Sequence, residues 1–327
     1  MYAVCAGILV ADIFSSPVQA VPAEGQLILA DEFLLNAGGC AVNTAACLRR
    51  TAIPTRVLGK VGRDLFGDFV LNDLQRLGID PSGVKRSDTH PTSSTFILNV
   101  KGQDRRYIHL LGANSDFRAE DVDPAVFEDA RVLYVGGYLA MPALDSGGLA
   151  KLFRAAKERS MLTVLDVMIA AERRVKLDVV GEVLPYTDVF LPNQDEARAL
   201  TGESSPEGQS EVLAQIAPGC TILVTQGARG VLARRNNQIW ESDVYSMETV
   251  DESGAGDAFA AGVITGLIEN WPFDKVVRFA SALGASCTRA LGCTAGVFTR
   301  DEALRFIEKV PLEIRVRPGA KGRASWQ

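Results

Sequence analysis

Asp251-Glu-Ser-Gly-Ala-Gly-Asp-Ala-Phe259 is the stretch on which the reading of this 327-residue chain turns. Gly254 and Gly256 bracket one small residue, Ala255, and Asp257 follows at once; the small and apolar run 258–267 then reads as a helix. Glycine lets the backbone approach a ligand closely, and the N–H groups at a helix start point at anions. A carboxylate at that helix start has no evident charge to neutralise. It stands where it can accept a proton from a hydroxyl attacking a phosphate held by those N–H groups. The plainer alternative is a glycine turn followed by an acid that favours the helix dipole.

Outward from this stretch, strand patterns at 2–10, 55–61, 132–135, 163–167, 189–191 and 221–225 alternate with helical patterns at 41–50, 65–77, 147–159 and 194–200. Helices at about 257–270, 274–288 and 299–308 close the chain. Such alternation predicts an α/β fold with a central, mainly parallel sheet covered by helices on both faces. Two hairpins are expected, at 230–234 with 238–242 around Asn236-Asn237, and at 95–100 with 106–111 around Lys101-Gly-Gln-Asp104. The β segments at about 13–37, including a strand at 26–35, and at about 92–112 have no crossover helix, and they are expected to pair as a small separate sheet. One domain over 1–312 results, followed by a loose tail, 313–327, of basic and small residues without an apolar period.

Composition narrows the function. The net charge is −6 with no long basic tract, which argues against a nucleic-acid footprint, though not against a phosphorylated ligand. The six cysteines form no CxxC pair and there are two histidines, so no zinc site is expected; free thiols suit a reducing, cytoplasmic setting. No run of 18 apolar residues occurs, hence no membrane partner, and the short apolar run 2–10, without a basic flank, reads as a first strand rather than a signal peptide.

Four further motifs fall in order along the chain: Gly38-Gly-Cys-Ala-Val-Asn43, Gly59-Lys-Val-Gly-Arg-Asp-Leu-Phe-Gly67, Pro192-Asn-Gln-Asp-Glu196 and Val224-Thr-Gln-Gly-Ala-Arg-Gly230. With 251–259 they resemble the signatures of the ribokinase-like (PfkB-type) family of carbohydrate and nucleoside kinases, over roughly residues 1–310. The resemblance implies a ribokinase-like fold with a small β-sheet lid, transfer of the ATP γ-phosphoryl group to a hydroxyl of a small sugar, and a homodimer formed through the lid. Asp257 would be the base, with Gly254, Ala255 and Gly256 as the anion hole, a role that preorganised N–H donors suit. Asp12, read at the carboxyl end of the first strand, would bind sugar hydroxyls together with Gly38, Gly39 and Asn43. Asn193 and Glu196 would order Mg²⁺ through water, or serve as a helix capping box. Thr225, Gly227 and Gly230 would form the nucleotide-side turn, with an apolar adenine pocket around 280–284.

The resemblance also implies a potassium-like cation near the anion hole, with Asp251 and the carbonyls around Gly292 as ligands. Glu252 stands where the family carries threonine, so a salt bridge from Glu252 is the alternative to the ion. Arg105 and Arg106 read as a solvated pair in a hairpin turn, the alternative being contact with a phosphate on an already phosphorylated substrate. His109 reads as a half-exposed strand residue, the alternative being that it faces the substrate from the lid. A nucleoside kinase of the same family is the second reading and a non-catalytic sugar or nucleotide sensor the third. A dinucleotide-binding oxidoreductase fits poorly, because no GxGxxG follows the first strand.

Overall fold

Alternate residues of the first strand, β1 (Tyr2–Gly7), bury into different cores: Ala3 and Cys5 join one apolar cluster, Val4 and Ala6 another. A strand covered on both faces sits at the centre of a parallel sheet. The computed structural model describes residues 2–103, 105–169 and 175–319. In chain order β1 is followed by β2 (Val10–Ser15), β3 (Phe33–Gly38), α1 (Cys40–Arg50), β4 (Thr55–Gly62), α2 (Leu65–Arg76), β5 (Asp80–Ser87), β6 (Ser94–Leu98) and β7 (Arg106–Leu110). Next come β8 (Ala130–Gly136), α3 (Ser146–Glu158), β9 (Leu162–Leu165), α4 (Asp178–Gly181), β10 (Val189–Phe190), α5 (Gln194–Thr201), α6 (Pro206–Ile216) and β11 (Thr221–Thr225). The chain closes with β12 (Val231–Arg235), β13 (Gln238–Ser242), α7 (Ala255–Ile268), α8 (Phe273–Cys287), α9 (Arg300–Lys309) and β14 (Ile314–Pro318).

The large sheet runs β14-β13-β12-β11-β10-β9-β8-β1-β4-β5, parallel from β11 through β5 and antiparallel from β11 through β14. Residues of α1, α2, α7 and α8 pack one face, and residues of α3, α5 and α6 the other. The second sheet, β3-β2-β6-β7, pairs β2 with β3 and β6 with β7 antiparallel, and β2 with β6 parallel. The α/β class, the mainly parallel sheet and the small separate sheet all match the expectation.

Four local expectations change. The run 2–10 is not one strand. The chain leaves the large sheet after Gly7 and re-enters pairing at Val10 in the second sheet, while the Asn114 side chain accepts from Leu9 N and donates to Leu9 O, both at 3.0 Å. An amide side chain thus satisfies the backbone groups freed by the switch. The strand expected at 26–35 starts only at Phe33, where pairing with Ser15 begins; Leu27 and Leu29 are 83% and 89% exposed. The tail expected from residue 313 contains β14, which pairs with β13. Arg317 in it holds Glu207 through two hydrogen bonds, of 2.9 and 2.7 Å, and Glu241 through one of 3.0 Å. Backbone pairing at a sheet edge and these ions need no apolar period. Residues 320–327 of that tail, and Asp104 of the hairpin turn, lie outside the described residues. Finally, β5 and α6 had not been expected: Pro81 and Gly83 hide β5, which is an edge strand where proline is tolerated. The Asn236-Asn237 turn is as expected, both residues having positive φ. No helix among the described residues is long and apolar enough to cross a membrane.

Candidate active site

Gly254 is the N-cap of α7 at φ 76°, and no side chain caps the helix. A Cβ at 254 would collide with the Cys293 carbonyl oxygen, so only glycine lets the turn press against that loop. Behind the turn, α7 is buried nearly all round. Gly262 and Gly266 admit Ala280 and Val276 of α8, so the two helices pack closely along the body of α7. Ala280 and Leu283 are core residues of this packing, and Ala282 is buried in a separate cluster with Tyr245 and Leu312, so the region 280–284 expected to hold adenine presents buried side chains here.

The second glycine turn delivers α1. Gly39 is its N-cap at φ 91°, and a Cβ there would collide with the Ile8 carbonyl oxygen. The first turn of α1 thereby meets the first turn of α7: Asn43 Nδ2 donates to Asp257 Oδ2 at 2.9 Å. Asn43 Oδ1 is buried without a partner. Burial pushes the Asp257 carboxyl up to about 6; hydrogen bonds from Asn43 and Cys40 oppose the shift, and the charge of Asp12 adds to it.

Asp12 does not follow the first strand of the large sheet but lies within β2 of the second sheet. It is 8% exposed, and burial pushes its carboxyl up to about 6 against a hydrogen bond from Thr95. A Cβ at Gly38 would collide with its Oδ2, so Gly38 makes room for that carboxylate.

A cavity of about 190 Å³ opens beside Asp257, with Glu196, Asn193, Thr225 and Gly254 in its wall. Gly227 and Gly230 follow Thr225 in the next turn and are not part of that wall. Asn193 and Glu196 form a reciprocal cap on α5: Asn193 Oδ1 accepts from the N–H groups of Asp195 and Glu196, and Glu196 Oε2 from that of Asn193, all at 2.9 Å. Burial raises the Glu196 carboxyl to about 7, backbone N–H groups of Asn193 and Ile169 opposing. Two residues not singled out in the sequence join them. Asp166, just past β9, is raised well above the usual carboxylate range by burial and by the charges of Glu196 and Asp257, and Tyr134 Oη donates to it at 3.0 Å. Cys40 Sγ lies with carboxylate oxygens of Asp166 and Asp257 inside a 4.8 Å cluster. The signal for Asp166 was available: an acid at the carboxyl end of a parallel strand, where open α/β sheets bind ligands.

Asp251 is buried and fully engaged. Gly292 N donates to its Oδ2 and Ser253 N to its Oδ1, both at 2.9 Å. Arg105 Nη1, from the turn between β6 and β7, donates to both Asp251 Oδ1 and Ser253 Oγ. Arg105 is thus not solvated. Glu252 is exposed, with no ion pair to a described residue, so it is not the salt bridge expected at this place. Gly292 presents an N–H toward Asp251 and a guanidinium occupies the carboxylate, a donor set that does not suit a monovalent cation. Arg106 donates to Gln103 Oε1, and His109 Nδ1 shares a 3.0 Å hydrogen bond with Thr95 Oγ1.

A family model, pfkB family carbohydrate kinase, matches residues 2–300. A ribokinase of Haemophilus influenzae is 26% identical over 288 residues, spanning 87% of this chain and 91% of that protein. An adenosine kinase of Saccharomyces cerevisiae is 27% identical, spanning 84% and 86%. Among solved structures, a ribokinase II candidate from E. coli in complex with ATP and Mg²⁺ superposes with a TM-score of 0.80 at 22% identity, covering 94% of this chain and 99% of that one, a likeness that carries the fold.

Proposed function

The chain belongs to the pfkB family of carbohydrate kinases, and from that membership we propose that Asp257 is the base through which it transfers the ATP γ-phosphoryl group to a hydroxyl of a small sugar. The observation that carries the assignment is the meeting of α1 and α7. A carboxylate stands at an uncapped helix start and is held by an amide whose own oxygen lacks a partner. Asn43 Nδ2 holds the Asp257 carboxylate in place. Asn43 Oδ1 is then a ready acceptor for a sugar hydroxyl, and Asp12 is a second one. The attacking oxygen gives its proton to Asp257 as it bonds to phosphorus, and ADP departs. Charge developing on the transferred group faces the N–H groups after Gly254, which need no reorganisation to receive it.

The hard oxygen donors of Asp166 and Glu196, with Asn193, fit a magnesium ion held through water. Such an ion, arriving with ATP, would neutralise part of the phosphate charge. Burial mainly raises both carboxyls, with the charges of Glu196 and Asp257 adding at Asp166 and those of Asp195 and Asp257 adding at Glu196, a state that a cation relieves. Thr225 would meet the phosphate end of the nucleotide, and Gly227 and Gly230 its outer turn. The second sheet acts as a lid that excludes water, limiting ATP hydrolysis. Exposed Phe33 and Ile108 of that sheet, with exposed Leu27 and Leu29 in the segment leading to β3, suit a homodimer formed lid to lid. All six cysteines are free, in keeping with a cytoplasmic setting.

A nucleoside acceptor is the second reading, favoured by the adenosine kinase relative. The test is ADP release with ATP and Mg²⁺ over a panel of sugars, sugar phosphates and nucleosides, repeated with Asp257→Asn. Sugar-dependent turnover lost in the variant supports the reading. Turnover only with a nucleoside selects the second one, and unchanged turnover in Asp257→Asn removes Asp257 from the chemistry.

A further inference from the structure

Arg105 and Asp251 belong to different parts of the molecule, 146 residues apart in sequence. Arg105 sits at the far end of the β6–β7 hairpin in the second sheet, and Asp251 sits three residues before the N-cap of α7. The carboxylate side chain is 2% exposed and the guanidinium side chain 21%. Its second hydrogen bond, to Ser253 Oγ, clasps the residue directly before Gly254. One cationic group from the hairpin therefore grips both ends of the Asp251–Ser253 turn.

That turn needs a counter-charge. Asp251 is an ionisable acid buried next to the helix start that must receive a triphosphate, and an uncompensated carboxylate there would repel the phosphates and strain the turn. Backbone N–H groups of Ser253 and Gly292 supply dipoles but no net charge. Arg105 supplies the charge, and it does so from a segment outside the large-sheet layer. The monovalent cation implied by family resemblance would compete with Arg105 for the same Asp251 carboxylate.

We propose that Arg105 is a positioning residue for phosphoryl transfer: it neutralises Asp251 from the second sheet in place of a monovalent cation, so that the anion hole is ordered only when that sheet is closed. With the sheet away, Asp251 loses its partner and the turn before Gly254 loosens; ATP alone then meets an incomplete hole. The proposal deepens the kinase reading and rests on it for its kinetic part.

The experiment uses the full chain with Arg105→Gln, which keeps hydrogen-bonding capacity without charge, and Arg105→Lys, which keeps charge. All assays are run in tetramethylammonium buffer with potassium or guanidinium added back. The wild type is expected to respond to potassium by less than about twofold, whereas Arg105→Gln loses about tenfold or more in kcat, with a smaller change in sugar KM, and recovers several-fold with either cation. Arg105→Lys falls between them. Amide hydrogen exchange of segment 251–257 is measured in the same proteins without substrate. It should quicken in Arg105→Gln and slow again with guanidinium. Strong potassium activation of the wild type, or unchanged kcat and exchange in Arg105→Gln, overturns the proposal. Because exchange needs no turnover, it tests the clasp even if no tried sugar is phosphorylated, an outcome that would instead count against the kinase reading.

Discussion

Asn43 Nδ2 and Asp257 Oδ2 stand 2.9 Å apart although 214 residues separate them in the chain. The contact joins the first turns of two helices, each begun by a positive-φ glycine, and it brings the N-terminal and C-terminal motifs to one carboxylate.

Asp257→Asn should cut kcat by about 10²- to 10⁴-fold while ATP and sugar still bind, since the amide keeps the shape and the Asn43 contact but accepts no proton. Steady-state kinetics beside calorimetric titration of both ligands checks this; turnover within about tenfold of wild type would remove the assignment.

Asp12→Ala and Asn43→Ala should each weaken sugar binding by about 1–3 kcal/mol and ATP binding far less, because each leaves substrate hydroxyls unpartnered. Separate titrations with sugar and with an ATP analogue read the difference. Equal losses for both ligands would mean that these residues do not face the sugar.

Acid should silence the enzyme before it unfolds it. The carboxyls of Asp257 and Asp12 lie at about 6 and that of Glu196 at about 7, all above their ordinary values of 3.8 and 4.5. A raised folded-state value contributes stability that is full below the unfolded value and lost as pH rises through the folded one. Asp257 thus weakens the fold as it ionises, roughly between pH 4 and 6, which is the same ionisation that arms it as a base. The profile of kcat/KM should rise with an apparent acid limb near pH 6–7, belonging to the coupled group rather than to one residue. In thermal melts Asp257→Asn should exceed wild type in Tm at about pH 7.5, and the gap should close near about pH 4.5. A flat profile from about pH 5 to 8, or a variant less stable at the higher pH, would contradict this.

Glu196→Gln should raise the Mg²⁺ concentration for half-maximal rate by several-fold while the sugar KM stays near wild type, since Glu196 lines the cavity beside Asp257 together with Asp166 and Asn193. The same variant keeps a polar group able to accept from Asn193 N, so the α5 cap persists and a stability loss does not confuse the readout. An unaltered Mg²⁺ response would place the ion elsewhere.

What the sequence disclosed was what is local. Gly254, Gly256 and Asp257 announce a turn and a helix start within a few residues, and Asn193 with Glu196 spell a capping box at the required spacing. The alternation of periods gave the α/β class, because each element's burial shows in its own residues. Hidden features depend on neighbours far along the chain. β5 holds its place through pairing with β4 despite Pro81, and β14 forms because β13 offers an open edge beside Glu207 and Glu241. Arg105 looked solvated since nothing near it in sequence is acidic and buried; its partner arrives only when the hairpin is laid across the Asp251 turn. Asp166 belongs to none of the ordered motifs; its place just past a parallel strand could be read, but not the convergence of the Glu196 and Asp257 charges on it.

The two-residue passage from Gly7 to Val10, clamped by the Asn114 amide, also sets how the molecule can let go of what it holds. Asp12 travels with β2, whereas Asn43 and Asp257 are anchored to the helices over the large sheet. If a sugar is gripped by all three, as proposed, it is shared between two sheets that the chain joins here through two residues, and it becomes a fastener across the joint. On that reading its escape would draw on the mechanics of residues 8 and 9 as well as on the strength of any one hydrogen bond.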